Sequence, residues 1–547
     1  MGKNLGLLTL KVRVSKFIYM EYNRRSFLKQ AGIGALELGL LNQIPLKGLG
    51  SPLMAGQLPR STPESQGIQS GSLLAFINAV EKANLNLHSL MVLRHGNVVA
   101  EGWWAPYAPD LKHTLYSLSK SFTSSAIGFA VSEKRLSVED KVVALFPAEV
   151  PAMISNNLAA MRVKDLLTMA TGHDKDTTPA VREAKDPNWV KTFLAQPVEH
   201  QPGTHFVYNS GATYMLSAII QKLTGKTLLE YLTPRLFAPL GISGMDWEVD
   251  PNGINTGGWG LRLKTEDIAK FGQLYLQKGS WKGKQILPQA WIEEATTAHI
   301  QSKGGSRPKA DNDWLQGYGY QFWRCRHGAY RGDGAYGQYC IVIPDKNMVV
   351  AITSETSDMQ GIMDQIWNHI LPQADDKTVD KTLQNSLETR LSRLVLSPEA
   401  GNASSSLVSE ISGKHFKMAE NALGISDVSL HFSKELASLT IKDNAGEHAI
   451  HAGINKWKEG MTDMPVMPLK LVLTPVPGET KSKIAASGTW LNENTFEMTL
   501  RFIETAHYEK VKCTFDGTSL SVEFKRSLAI LGNTKDARPV LKGVLYS

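Results

Sequence analysis

Cysteine is scarce in this chain: Cys325, Cys340 and Cys513 are the only three among 547 residues. They form no C-x-x-C pair and no zinc-type spacing, so a disulfide scaffold and a cysteine metal site are excluded, and at most one bridge could form. Blocks of like charge are missing too. Lysine and arginine number 59 against 52 acids, but the two signs are interspersed, so the net +7 lacks the basic stripe that nucleic-acid binding needs. H-E-x-x-H, a P-loop and a G-x-S-x-G elbow are likewise absent. What remains is ordinary globular composition, 42% hydrophobic and 20% charged, in a chain long enough for two to four domains.

Near the N-terminus, Asn23-Arg-Arg-Ser-Phe-Leu-Lys29 matches the twin-arginine export pattern, and a weakly apolar run follows over 31–41. That run contains Glu37 and is too short to span a bilayer. Initiation at Met20 would bring the arginine pair to the usual distance from the start. Residues 1–55 are therefore expected to be an extension with an export signal, and the protein to be exported to the periplasm with no stable membrane span once the signal is removed.

Residues 61–371 read as one α/β (α+β) unit. Leu90-Met-Val-Leu-Arg-His-Gly-Asn-Val-Val-Ala100 predicts a hairpin around His-Gly-Asn, and a second hairpin is predicted for 338–343 and 348–353 around Pro344-Asp-Lys-Asn347. Helical patterns lie between them at 163–169, 213–223, 265–277 and 288–298. Strands that open and close a unit with helices between favour an antiparallel sheet flanked by helices over a repeating βαβ array. Polar residues 372–410, with a short helical pattern, read as a linker. Alternating apolar and polar residues over 411–547 predict a smaller, mainly β domain. His448 and His451, spaced i and i+3 without a third ligand, are expected at the surface.

The stretch Tyr116-Ser-Leu-Ser-Lys-Ser-Phe-Thr-Ser-Ser125 holds five serines and a lysine. On a helix, Ser117, Lys120, Ser121 and Ser124 share a face while Leu118 and Phe122 share another, and Ser119 turns to the packed side. Ser117 alone stands three residues before the lysine. Serine is a weak nucleophile without an adjacent base, and a buried lysine can lose its proton near neutrality. A helix N-terminus at this point would also suit an oxyanion, although Ser117 could equally be a simple N-cap. Two further segments bear on the choice. Pro202-Gly-Thr-His-Phe-Val-Tyr-Asn-Ser-Gly211 sets Tyr208 at a loop-to-helix entry, and Tyr330-Arg-Gly-Asp-Gly-Ala-Tyr-Gly-Gln338 carries glycines that let backbone approach a ligand. The formal G-x-G-x-x-G within the latter precedes a strand and opens no helix, so a dinucleotide site is rejected.

With these segments in this order, residues 61–371 resemble the serine β-lactamase and penicillin-binding superfamily, in its class C-like branch of esterases, D-amino peptidases and 6-aminohexanoate-dimer hydrolases. The resemblance rests on Ser117-Leu-Ser-Lys120, Val163-Lys-Asp-Leu-Leu-Thr-Met-Ala-Thr-Gly172, the Pro-Gly-Thr segment ending in Tyr208, Gly257-Gly-Trp-Gly-Leu261 and Gly334-Ala-Tyr-Gly-Gln338. It implies an acylated Ser117, Lys120 and Tyr208 as the pair that moves its proton, and an oxyanion hole from the backbone N–H groups of Ser117 and Ala335. Tyr208-Asn-Ser210 departs from the Y-x-N of true β-lactamases and puts Ser210 toward the ligand. The K-T-G triplet, tied by the resemblance to the carboxylate of β-lactams, is absent; Arg331 and Asp333 stand in that region.

Trp259, Tyr336 and Gln338 are candidate substrate contacts, with core packing an equal reading for the two aromatics. His173 is expected to be structural. The expected function is hydrolysis of a small ester or amide through Ser117, with no metal, cofactor or nucleic acid. A β-lactamase or D,D-peptidase, and a non-catalytic binding protein on the same fold, are the alternatives.

Overall fold

The computed structural model describes residues 57–372, 378–464 and 470–546. The expected export signal, with Arg24 and Arg25, lies outside them. Among the described residues no helix is long and apolar enough to cross a membrane.

The first domain is organised by six antiparallel strands: β1 (Leu87–Arg94), β2 (Asn97–Trp103), β3 (Trp323–Arg324), β4 (Tyr330–Gly334), β5 (Gln338–Ile343) and β6 (Met348–Ser354), in the order β2-β1-β6-β5-β4-β3. Both expected hairpins form. In the first, His95 and Gly96 take left-handed conformations with φ of 49° and 79°, the two-residue geometry that suits strand twist. In the second, the left-handed position falls on Asn347, at φ 47°, a conformation that asparagine tolerates better than most residues.

Every residue of β1, β5 and β6 is buried, because both faces of the sheet are covered. Met91, Leu93, Val342 and Ala351 pack on one side with Phe122, Ile268 and Phe271. Leu90, Val92, Ile341 and Val350 pack on the other with Phe76, Ile77, Ile362 and Leu387. Period-two alternation thus divides one strand between two cores. The domain's helices include α1 (Ser70–Lys82), α2 (Ser119–Ser132), α3 (Val163–Leu167), α4 (Ser210–Thr224), α5 (Thr265–Leu276), α6 (Gln289–Thr296), α7 (Met359–Gln365) and α8 (Lys381–Leu391). Four of them match expected helical segments. α3 stops short of the expected end, where Met169 takes a left-handed φ of 58°, and α4 begins three residues early because the Asn209 side chain caps it.

Within 372–410, read as a linker with a short helical pattern, the helix forms as α8 (Lys381–Leu391). α8 packs on α1 and β2, with Leu387 and Leu394 at 2% and 3% exposure inside the second core. Gly102 on β2 has no room for a side chain, since a Cβ would meet Leu394 Cδ1 at 2.6 Å. Leu387, Leu391 and Leu394 recur at helical spacing, and that apolar stripe outweighs the polar composition around it.

The second domain is a barrel. Its strands are β7 (Lys414–Met418), β8 (Asp427–Phe432), β9 (Leu436–Lys442), β10 (Glu447–Ile454), β11 (Lys458–Thr462), β12 (Ser482–Asn492), β13 (Thr495–Phe502), β14 (His507–Asp516), β15 (Ser519–Arg526) and β16 (Leu541–Leu545). They run β10-β9-β8-β7-β16-β15-β14-β13-β12-β11, and a short parallel pairing of β10 with β12 closes the ring. Alternate residues point inward and fill it, among them Phe416, Leu430, Leu439, Trp490, Phe496 and Phe515. His448 is not a surface residue as expected: it is buried on β10, 3.2 Å from Asp443 and 3.0 Å from Asp463. All three cysteines are free and buried.

The barrel meets the first domain through buried polar groups. Glu355, just after β6, lies 2.6 Å from Arg501 on β13 and 3.3 Å from His88 on β1. Burial pushes the Glu355 carboxyl up, but Arg501 and His88 overrule it and hold it below the ordinary glutamate value. Backbone bonds add to this, with Thr114 N–H donating to Glu504 O at 2.9 Å and the Tyr107 hydroxyl to Thr505 O at 3.2 Å.

Replacing Arg501 by leucine strands a buried carboxylate, so we expect a loss of about 3–5 kcal/mol in denaturant unfolding. Breaking the exposed Lys456–Glu435 pair costs under about 1 kcal/mol. Because Glu355 is held low, its contribution is present above the ordinary carboxylate range and fades as pH falls through the folded value. Equal effects of the two replacements would refute this.

Candidate active site

Of the ten residues from Tyr116 to Ser125, Ser117 alone is not buried. It lies on a 3-10 turn, Tyr116–Leu118, that runs into α2, so it precedes the α-helix itself. The tighter winding still points residues three apart the same way. Lys120 Nζ lies 2.9 Å from Ser117 Oγ, 3.0 Å from Ser210 Oγ and 2.7 Å from the Gly258 carbonyl oxygen. A neutral amine satisfies this shell completely, donating two protons to Gly258 O and Ser210 Oγ and turning its lone pair to the Ser117 hydroxyl.

Electrostatics favour that state. Burial pushes the Lys120 amine down to about 7, with Asp176 and Asp333 working in the opposite direction. Tyr208 is pushed well up, by burial first and by Asp333 second, so it stays a neutral phenol. Its hydroxyl shares a hydrogen bond with that of Ser117. The ring stacks on Trp323 at 5.3 Å and meets Tyr318 edge-on.

The motifs around this centre each have a mechanical reason. Glycines let β4 abut the nucleophile turn: a Cβ on Gly334 would lie 2.0 Å from Leu115 O, and one on Gly332 would lie 2.5 Å from Leu118 Cδ1. Ala335 consequently lines the same cleft as Ser117. The Gly257-Gly-Trp-Gly loop supplies two carbonyls, Gly257 O to Thr123 and Gly258 O to Lys120. The segment ending at Gly172 holds the tyrosine loop, with Met169 O accepting from Val207 N–H at 2.9 Å and Gly172 O from His200 N–H at 2.8 Å.

Several expected site residues are relocated. Ser121 and Ser124 share the helix face of Ser117 but do not line the cleft: both are buried, and Ser121 donates to Gln321 O at 2.9 Å. Ser119 accepts from Leu261 N–H, as suits its packed side. Gln338 is not among the cleft-lining residues; it is fully buried and donates to the Ala335 and Ser354 carbonyls, which braces the turn that carries Ala335. Tyr336, at φ 66°, packs edge-on against Tyr116 and His507 and is not among the cleft-lining residues. Trp259 is wall and core at once, 4% exposed, lining the cleft and donating from Nε1 to Thr474 Oγ1 at 2.9 Å. Ser210 lines the cleft, while Asn209 is buried. His173 is buried with Nδ1 2.8 Å from Thr171 Oγ1, a structural role.

Sequence reasoning missed the contributions of distant loops. Asp176, held by the Ser210 and Thr178 N–H groups, and the rings of Trp314 and Trp323 line the cleft. So do Leu471 and Val472, which belong to the barrel. Tyr116 also reaches that domain, its hydroxyl donating to His507 Nε2. Burial pushes His507 down to about 3, so its ring is a neutral acceptor there, and Nδ1 lies 3.0 Å from Ser527 Oγ. Tyr116 needs such an anchor because it sits at φ 48°, a region costly for a residue with a side chain.

The family model described as Beta-lactamase matches residues 79–372. The chain belongs to this family. The 6-aminohexanoate-dimer hydrolase of Paenarthrobacter ureafaciens is 26% identical over 49% of this chain and 73% of its own length. A D-aminopeptidase of Brucella anthropi is 29% identical over 28% of this chain, which spans only 31% of that enzyme. Among solved structures, the octameric penicillin-binding protein homologue from Pyrococcus abyssi is similar at 16% identity and a TM-score of 0.45, over 87% of this chain and 100% of its own. Family and relatives make the protein a serine hydrolase acting on amide or ester bonds, and the non-catalytic alternative falls.

Within this family the chain lacks a basic residue in the cleft at the K-T-G position. Arg331 is fully buried, 2.9 Å from Asp333, with its guanidinium 4.3 Å from the Trp314 ring. Arg182 and Lys303 line the cleft as well, and the Lys120 amine lies buried 2.9 Å from Ser117 Oγ. The Lys120 ε-carbon signal, assigned with Lys120→Arg, is expected to titrate near pH 7. A midpoint above 10, the ordinary lysine value, would contradict the burial argument.

Proposed function

We propose that the protein cleaves a linear amide or ester through a covalent acyl-enzyme on Ser117. The observation that carries the reading is the 2.9 Å contact between the only accessible serine of its stretch and a buried amine held near pH 7. Neutral Lys120 takes the Ser117 proton as Oγ attacks the substrate carbonyl. The backbone N–H groups of Ser117 and Ala335 receive the oxyanion. The Tyr208 phenol then passes its proton to the leaving nitrogen or oxygen and is reprotonated by the Lys120 ammonium. Water attacks the ester carbonyl by the reverse route and frees Ser117.

The names of the two relatives, a dimer hydrolase and an aminopeptidase, support an amide or ester with an open chain. Burial of Arg331 supports the same preference over β-lactams, since it leaves the β-lactam carboxylate without that partner. A fluorophosphonate probe is expected to add to Ser117 in folded protein and not to Ser117→Ala. Lys120→Ala and Tyr208→Phe should each lower p-nitrophenyl ester turnover by about 10² or more. Changes under threefold in both would refute the roles, and cephalosporin turnover far above ester turnover would refute the substrate class.

Export is part of the proposal and rests on the Arg24-Arg25 pair. Lysine at both positions should leave the protein in the cytoplasmic fraction, while the native sequence reaches the periplasm. Equal partition of the two would overturn it.

A further inference from the structure

The barrel places two apolar side chains beside the nucleophile. Leu471 and Val472 line a cleft of about 600 Å³ together with Ser117, Pro179, Trp259 and Met359. Leu471 is 50% exposed, a large apolar group open to solvent in a cleft whose lining also includes Asp176, Arg182, Lys303 and Asp333. Apolar surface kept open inside a catalytic cleft is where a ligand's apolar part gains most.

The wall is tied to the first domain on both sides. Lys470 Nζ lies 2.6 Å from Glu248 Oε1, and Thr474 Oγ1 donates to the other oxygen of the same carboxylate. Trp259 Nε1 donates to Thr474 Oγ1 at 2.9 Å, and Val249 N–H to Pro475 O at 3.0 Å. Leu471 N–H reaches the Tyr116 hydroxyl at 3.5 Å. These anchors fall next to Gly258, whose carbonyl holds Lys120, and on Tyr116, the residue before Ser117. Leu471 and Val472 are therefore set in register with the reacting centre by the same residues that build it. Leu473, two residues on and 49% exposed, lines a separate cavity with Arg262, Glu479 and Glu504.

We infer that Leu471 and Val472, which line the cleft with Pro179 and Trp259, form a subsite for an alkyl arm of the substrate. This rests on the proposed acyl transfer at Ser117. The subsite makes the barrel a determinant of which esters and amides are cleaved.

The test compares full-length protein with Leu471→Asp and Leu471→Ala on two substrate series. One varies the acyl chain, p-nitrophenyl acetate against octanoate, and the other varies the alcohol, methyl against hexyl acetate. In Leu471→Asp the kcat/KM ratio of long to short substrate should fall tenfold or more in one series, through KM, with a smaller fall for Leu471→Ala. Which series responds tells whether the arm lies on the acyl or the leaving side. Leu473→Asp, on the same segment, should leave both ratios within twofold of the native protein. Ratios within twofold for both Leu471 variants, in protein whose Ser117 still takes the fluorophosphonate, would overturn the subsite alone. A native protein with no adduct at Ser117 and no ester turnover would overturn the acyl-transfer reading, and the subsite with it. Circular dichroism melts matching the native protein confirm that the exposed-site variants are folded.

Discussion

The contact between the Ser117 hydroxyl and the Lys120 amine is the constraint around which the first domain is arranged. An ammonium in water would be useless as a base at neutral pH, so the lysine must be dry. Dryness in turn demands that every hydrogen bond of the amine be supplied by protein, and the Gly258 carbonyl and Ser210 hydroxyl supply them. That requirement brings the glycine loop and the N-terminus of α4 onto α2. Four other hydroxyls of the stretch serve the same end, stitching α2 to its neighbours through Ser119, Ser121, Thr123 and Ser125.

A second consequence concerns the barrel. Tyr116 holds a strained conformation immediately before the nucleophile, and its hydroxyl ends on His507 of the other domain. Glu355 and Arg501, Glu248 and Lys470, and Arg262 with Glu479 pair across the same boundary. Such pairs add little net stability, yet each tolerates only one arrangement of its partners. A polar, registered boundary is what a cleft built from two domains needs, because a sliding apolar contact would not keep Leu471 at a fixed distance from Ser117.

Much of this was legible in the sequence wherever the signal was local. Both hairpins of the sheet follow from apolar runs around turn residues, and Ser117 and Lys120 follow from three-residue spacing. Tyr208 follows from its place ahead of a capped helix, and Ser210 from the resemblance to the β-lactamase superfamily. Position within a motif did not reveal direction. Gln338 and Tyr336 stand close to Ala335 in the chain, but strand alternation buries the first and a left-handed turn sends the second toward the barrel. The polar face of α2 misled in the same way, since Ser121 and Ser124 are both buried and the Ser121 hydroxyl donates to the Gln321 carbonyl inside the fold. Leu471, Asp176 and Trp323 carry no local signal, because only tertiary contact brings them to Ser117. The segment read as a linker shows the limit of composition: three leucines at helical spacing count for more than the polar residues between them.

The account turns on a lysine that is neutral when it matters, and the pH dependence of Ser117 phosphonylation tests that most directly. The second-order rate of fluorophosphonate addition should rise with pH to a plateau with a midpoint near 7, and Lys120→Arg should abolish the rise. A rate still climbing through pH 10, or a midpoint unmoved in Lys120→Arg, would mean that another group activates the serine.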